Sequence, residues 1–129
     1  MRYQFTKWPA DRSIRSGTDL SALDVEISSL GSNEPFQLWM YRDDGESACV
    51  LANAEWAYLS ILPTDDHYLS SLDKGFSGSK DSVVEIYLEN GQLDEMPRIN
   101  CIPRQQGIAA GLHYFKTGVR APFVSWIAV

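Results

Sequence analysis

The first regular pattern along the chain is a set of apolar residues three or four positions apart, which predicts an amphipathic helix. Its members are Leu20, Leu23, Ile27 and Leu30. Thr18 is the predicted N-cap, because a threonine hydroxyl accepts a hydrogen bond from a free backbone amide of the first turn. Gly31 is placed to end the helix in a left-handed conformation. Ahead of this helix, residues 2–5 predict a short strand.

A second helix is predicted towards the end of the chain, again from apolar spacing. Its stripe consists of Ile108, Leu112 and Phe115. Pro103 suits the first helical position, and Gly118 suits the position that ends the helix. Gly107 and Gly111 lower the helix propensity, but they would let the helix lie close to a sheet. Residues 123–127 then predict a final strand.

Between the two helices the chain is rich in residues that favour strands. The predicted strands are Phe36–Tyr41, Ser47–Ala52, Trp56–Leu62 and residues 82–88. The Asp44-Gly45 and Asn90-Gly91 pairs are typical of tight turns between strands. Residues 64–79 are polar and contain glycine, so they are predicted to form a loop. A short extended piece is predicted over residues 98–102.

These elements predict an α+β fold with a mainly antiparallel sheet and two helices packed on it. A length of 129 residues suits a single domain covering residues 1–129. No segment approaches the run of about 20 apolar residues that crosses a bilayer. The first residues lack the apolar core of a secretion signal. We therefore expect a cytoplasmic protein that is not bound to a membrane.

The formal charge of −6 is concentrated in one part of the chain. Residues 34–66 carry seven acidic residues and one arginine, whereas the segments before and after them are each neutral. The shortage of cations argues against wrapping a nucleic acid, whose binding depends on neutralising phosphates. Because the acidic residues fall at predicted strand ends and turns, we expect the meander to bring them together. Such a negative field would speed the encounter with a basic partner.

The predicted partner-binding residues combine these carboxylates with two nearby aromatic residues, because Trp and Tyr are frequent energetic anchors in interfaces. They are Asp43, Asp44, Glu46, Glu55, Asp65, Asp66, Trp39 and Tyr41. A structural interpretation stays open beside this one. On that interpretation the acidic turns serve solubility, and the aromatic residues fill the core.

Few residues suggest catalysis or metal binding. Cys49 and Cys101 lie in apolar surroundings and match no metal-binding spacing, so we expect buried, reduced thiols, although a disulfide between them stays open. His113 lies away from the apolar stripe of its helix and is expected to be exposed. Asp65-Asp66-His67 is the one sequence that would suit acid–base or metal chemistry. No cofactor is expected.

From Phe36 onward, the chain resembles the first-numbered family of immunity proteins from bacterial polymorphic toxin systems, which includes inhibitors of nucleic-acid-deaminating toxins. The resemblance is clearest over residues 102–126. There, a helix rich in small residues ends in the aromatic Phe115, a Thr-Gly stop follows at Gly118, and Pro122 precedes Trp126 on the last strand.

Further positions occur in the same order as in that family, namely the Gly/Ser loop at residues 75–78 and the Asn90-Gly91 turn. One position departs from the pattern, since Gln105-Gln106 stands where the family usually has an acidic residue early in the second helix. The resemblance implies a protein without catalytic activity. Its partner would be a cognate toxin domain, expected to be basic, whose active site or nucleic-acid groove it blocks.

Two other functions remain open on the sequence alone. The chain is alternatively a small-ligand-binding or enzymatic α+β domain that uses the Asp65-Asp66-His67 loop. It is also compatible with an adaptor module whose acidic meander binds some other basic protein.

Overall fold

The computed structural model describes residues 1–7, 13–65, 67–87 and 92–129. In chain order the elements are β1 (Arg2–Lys7), β2 (Arg15–Gly17), α1 (Leu20–Ser28), β3 (Phe36–Tyr41), β4 (Ser47–Ala52), β5 (Trp56–Leu62), β6 (Leu69–Leu72), β7 (Val83–Tyr87), β8 (Leu93–Pro97), a 3₁₀ turn (Arg98–Asn100), β9 (Cys101–Pro103), α2 (Arg104–Thr117) and β10 (Ser125–Ala128). The two helices and the antiparallel sheet confirm the predicted α+β fold.

The main sheet has the strand order β10-β6-β5-β4-β3-β1-β2, and neighbouring strands are antiparallel. β9 and β6 share one edge of β5, because β9 pairs with its first residues and β6 pairs with Ser60 and Ile61. β7 and β8 form a separate two-stranded ribbon. No helix in the described parts of the chain has the length and apolar character needed to cross a membrane.

The meander β3–β4–β5 has the predicted bounds. Both faces of its strands are largely covered, by the helices on one side and the ribbon on the other, and Gly45 takes the positive φ of 99° that the first turn requires. The predicted loop at 64–79 is wrong in part because it contains β6. Ser71, a weak strand former, is held there by tertiary hydrogen bonds: its hydroxyl accepts from the Leu59 amide at 3.1 Å and donates to the Asn100 carbonyl at 2.7 Å.

Several other boundaries differ from the prediction. Strand β8 was not predicted, because Leu93–Pro97 carries two carboxylates and a proline, which are poor strand formers. The piece predicted to be extended at 98–102 begins as a 3₁₀ turn, and the last strand is Ser125–Ala128 rather than 123–127. The Asn90-Gly91 turn and the end of the strand predicted at 82–88 lie outside the described residues.

Both helices pack on one face of the sheet. α1 is capped by Asp19 and not by Thr18, since Asp19 Oδ1 accepts the Ser21 amide at 3.2 Å. It stops at Ser29, where the hydroxyl donates to the Glu26 carbonyl, two residues before Gly31. This helix contributes Leu23, which is fully buried in the core.

α2 lies directly on β4 and β5. A Cβ at Gly107 would come closer than 3.0 Å to the Ala57 Cβ, and a Cβ at Gly111 would lie 2.9 Å from Val50 Cγ2. The predicted close approach of this helix is therefore confirmed. Gly118 ends the helix with a φ of 76°, as expected, whereas Pro103 is its N-cap rather than its first residue.

The start of α2 is fastened by a buried arginine. Arg104 is 5% exposed, and its guanidinium donates to the carbonyls of Asn53 at 2.7 Å and Gly31 at 3.3 Å. Burial lowers its pKa, which nearby Glu34 partly restores. One side chain thus joins the β4–β5 turn, the segment after α1 and the start of α2.

The opposite face of the sheet is covered by the β7–β8 ribbon. Ile86 and Val84 from the ribbon pack with Cys49, Leu51 and Cys101 from the sheet. Both cysteines are free and buried, which confirms that expectation and leaves no disulfide between them. Burial raises the pKa of the Cys101 thiol to about 11. The molecule therefore has three layers, in the order helices, sheet and ribbon.

Candidate partner-binding surfaces

The β3–β4 hairpin holds three of the predicted acidic residues, and two of them are engaged within the molecule. Arg42 donates to Asp44 Oδ2 at 2.7 Å and to Glu46 Oε2 at 3.0 Å. It also donates to the Gly118 carbonyl at 2.8 Å, at the end of α2. The Tyr114 hydroxyl donates to Glu46 Oε2 at 2.7 Å. These contacts fasten the hairpin to the helix, so Asp44 and Glu46 have a structural role.

The other acidic residues at this end of the sheet are exposed. The Asp43 side chain is fully exposed, and the Met1 amino group lies 3.8 Å from its Oδ1 atom. Asp65 is also exposed, and its Oδ1 accepts the His67 amide at 3.3 Å. Asp66 lies outside the described residues. This end therefore presents exposed carboxylates beside a hairpin that is partly neutralised by its own arginine.

The expectation that the meander brings all its acidic turns together is wrong. Successive turns of an antiparallel meander lie at alternate ends, so the β3–β4 and β5–β6 turns share one end while Glu55, in the β4–β5 turn, lies at the other. Glu34, which precedes β3, also lies at that second end. Strands of six residues separate the two ends by roughly 20 Å. That distance is about two Debye lengths, so the two groups do not form one field.

The Glu55 turn is connected to the ribbon. Asn53 Oδ1 accepts the amides of Glu55 at 2.9 Å and Trp56 at 2.7 Å, which fixes the turn. The Asn53 side-chain amide donates to the Glu85 carbonyl at 3.1 Å. Glu55 and Glu85 therefore lie on neighbouring, mutually fixed segments, and both side chains are exposed.

Trp39 and Tyr41 lie on the sheet face that carries the ribbon, and both are half-buried. Tyr41 donates to Gln4 Oε1 at 3.3 Å, and the Arg2 guanidinium lies 4.3 Å from its ring centre. Trp39 packs against the ribbon-side cluster. Its Nε1 atom is buried and has no acceptor within the described ranges. These aromatic side chains are therefore partly accessible, and they do not belong to the core between helices and sheet.

The two histidines have different surroundings. His67 is exposed in the predicted Asp65-Asp66-His67 loop. His113, expected to be exposed, is half-buried, with its ring edge-on to Phe123 at 6.0 Å between ring centres. Among the described residues, no group of three or more His, Cys, Asp or Glu side chains is placed to hold a metal ion.

One surface was missed at the sequence level, the ribbon outer face. We define it as the side chains of β7 and β8 that point away from the sheet, arranged in three cross-strand pairs. The pairs are Val83 with Pro97, Glu85 with Glu95, and Tyr87 with Leu93. The sequence offered one signal for it, the Asn90-Gly91 pair that favours a tight turn, but residues 93–97 lack the pattern of a strand.

No protein-family model matches the chain, and no curated protein sequence matches it significantly.

Proposed function

We propose that the chain is an immunity protein, which binds a cognate toxin domain acting on nucleic acid and blocks its active site or substrate groove. It would act in the cytoplasm, without catalysis and without a cofactor, and its partner would be a basic protein rather than a nucleic acid or a membrane. The resemblance of residues 102–126 to the immunity family motivates this proposal.

The structural observation that supports it most is the group of exposed glutamates on the ribbon and on the neighbouring β4–β5 turn. Glu55, Glu85 and Glu95 are exposed and have no ion-pair partner among the described residues. A toxin that binds nucleic acid presents lysine and arginine side chains to phosphates. Carboxylates on an ordered surface can form ion pairs with those lysine and arginine side chains, and complementary charge accelerates association.

The packing beneath this surface also suits an inhibitor. The sheet is covered by helices on one face and by the ribbon on the other, and Ile86 in the ribbon is fully buried. Surfaces that are already ordered before binding avoid the entropic cost of ordering, and so retain more of the interaction energy as affinity.

The test is to express the chain together with the toxin domain encoded beside it. We expect growth to be restored in cells that otherwise die, and purified proteins to bind with an association rate that falls as salt is raised. The control is an unrelated acidic protein of similar size and charge, which should not protect. Absence of binding at micromolar concentration, together with absence of protection, would overturn the proposal.

A further inference from the structure

The ribbon outer face contains two carboxylates in direct opposition. Glu85 is the cross-strand partner of Glu95, and both side chains are exposed. Side chains in such a pair have Cβ atoms about 5 Å apart, and like charges at this spacing repel each other. Neither carboxylate has an ion pair within the described parts of the chain. Repulsion between the two carboxylates therefore lowers the stability of the free protein. A cation placed between them would remove this repulsion.

The flanking pairs are apolar and open to solvent. Val83 is 49% exposed and Leu93 is 46% exposed, although both belong to regular strands. Tyr87 and Pro97 complete these pairs, and Tyr87 is half-buried. Apolar side chains on either side of a charged pair exclude water from it when a partner covers them, and this strengthens the charge interaction.

The ribbon presents this face from a fixed position. Its inner face is packed, with Val84 8% exposed and Ile86 fully buried. Two side-chain amides of the sheet hold its backbone, since Gln37 donates to the Tyr87 carbonyl at 2.8 Å and Asn53 donates to the Glu85 carbonyl at 3.1 Å. The outer face is therefore ordered before any partner arrives.

We propose that the ribbon outer face, continued by Glu55, is the docking surface for the toxin domain, and that an arginine or lysine of the toxin is seated between Glu85 and Glu95. This inference rests on the proposed function and assigns it a surface. A guanidinium group suits the site because its planar fork of donors can bind two carboxylates at once. The ribbon alone spans about 17 Å by 10 Å, well below the usual interface of about 800 Å² per partner, so the docking surface must extend beyond it over the Glu55 turn and the neighbouring surface.

A second copy of the chain is a poor occupant for this face. The whole chain carries a net charge of −6, and two such outer faces would bring four glutamates together. The charge on the face is complementary to a basic protein and not to itself.

The experiment compares two double variants with the same change of charge. E85Q/E95Q removes the pair. D43N/D65N removes two exposed carboxylates at the end of the sheet opposite Glu55, which the sequence predicted to bind the partner and which lie outside the proposed docking surface. Affinity for the neighbouring toxin domain is measured by calorimetry, melting temperature by circular dichroism, and oligomeric state by analytical ultracentrifugation.

We expect E85Q/E95Q to lower affinity at least tenfold while its melting temperature stays the same or rises, because the cross-strand repulsion is gone. D43N/D65N should bind within about twofold of the unchanged protein. Opposite effects on binding and stability are what a docking pair produces, whereas a pair with only a structural role would leave affinity unchanged.

Four results would overturn the inference. Unchanged affinity in E85Q/E95Q would show that the toxin docks elsewhere while leaving the proposed function intact. Equal losses in both double variants would show that only net charge matters. A dimer of the unchanged chain that dissociates in E85Q/E95Q would make a second copy the occupant. If the unchanged protein does not bind the toxin at all, the proposed function itself fails, and the assigned surface fails with it.

Discussion

Replacing Gly107 by alanine measures how closely α2 lies on the sheet. A Cβ at this position would come under 3.0 Å from the Cβ of Ala57 and 3.3 Å from Leu59 Cδ1. Ala57 is fully buried, and its Cβ is attached directly to the backbone of β5. No side-chain rotation can therefore relieve the clash, and the helix itself must move away from the sheet.

Two opposing effects set the magnitude. In an unconstrained helix, alanine is favoured over glycine by about 1 kcal/mol. Here α2 must lift by about 1 Å or more to restore a carbon–carbon separation of about 3.5–4.0 Å. Overpacking typically costs about 1–3 kcal/mol, and a displacement of this size falls in the upper half of that range. Because the packing loss exceeds the gain in propensity, we expect Gly107→Ala to lower the free energy of unfolding by about 1–2 kcal/mol.

The measurement is equilibrium unfolding in urea, with the slope of the transition compared between variants to show that the unfolding reaction is unchanged. Gly111→Ala is the variant for comparison. Its Cβ would lie 2.9 Å from Val50 Cγ2, and this side chain can shift without moving the backbone. We expect Gly111→Ala to lose less stability than Gly107→Ala.

A double variant isolates the contact. Ala57→Gly removes the carbon with which the new methyl group collides, so Ala57→Gly/Gly107→Ala should be more stable than the sum of the two single effects allows. A Gly107→Ala protein as stable as the unchanged chain would refute the reasoning. So would single effects that add to within about 0.5 kcal/mol, the usual sign of independent sites.

Three further predictions follow from individual contacts. Glu46→Lys should lower the melting temperature because it breaks the pairs with Arg42 and Tyr114, whereas Asp43→Lys should leave it nearly unchanged; equal melting temperatures would contradict this. Because the Cys101 pKa is raised from 9.0 to about 11, the folded state retains a proton that the unfolded state loses, so this thiol's contribution to stability should fall as the pH rises from 9 to 11. Unfolding followed over that range, with Cys101→Ala as control, checks this, and an identical pH profile would refute it. Trp126 is half-buried, and its indole donates to the Ala121 carbonyl at 3.1 Å. Trp126→Ala should therefore lower the free energy of unfolding by about 2–4 kcal/mol, somewhat less than the loss of a fully buried aromatic residue. Urea unfolding measures this change, and a loss below about 1 kcal/mol would refute the prediction.

The parts of the fold that were predictable from sequence are those whose local pattern agrees with their tertiary setting. The β3–β4–β5 meander is rich in strand-forming residues and has Asp-Gly at its first turn, and its bounds were predicted to the residue. Gly118 and the close approach at Gly107 were also predictable, because glycine has few other reasons to occupy those positions.

The elements that were missed depend on tertiary contacts. β6 contains Ser70 and Ser71, which are buried and held by hydrogen bonds from other segments, so no local apolar pattern marks it. β8 carries Asp94 and Glu95, which look like part of a loop until their pairing with β7 is known.

The sequence indicated that acidic residues are important to the candidate site, but it did not indicate where in the fold they lie. Counting along the sequence showed the excess of acidic residues in one segment, but it grouped Asp44 with Glu55, which lie at opposite ends of the sheet. It also could not show that Arg42 neutralises Asp44. Glu85 and Glu95 escaped notice because their segment of sequence is neutral overall, although the fold sets the two side by side.

The fastening of α2 has a consequence for how the molecule opens. Arg104 bonds two loop carbonyls at the start of the helix, and Arg42 bonds the Gly118 carbonyl at its end. Amide protons along α2 and the strands beneath it should therefore exchange with solvent last, in a single cooperative event. The β7–β8 ribbon is joined to the sheet by a smaller packed cluster and two side-chain amides, so its amide protons should exchange sooner, in an opening that leaves the helix-and-sheet body closed.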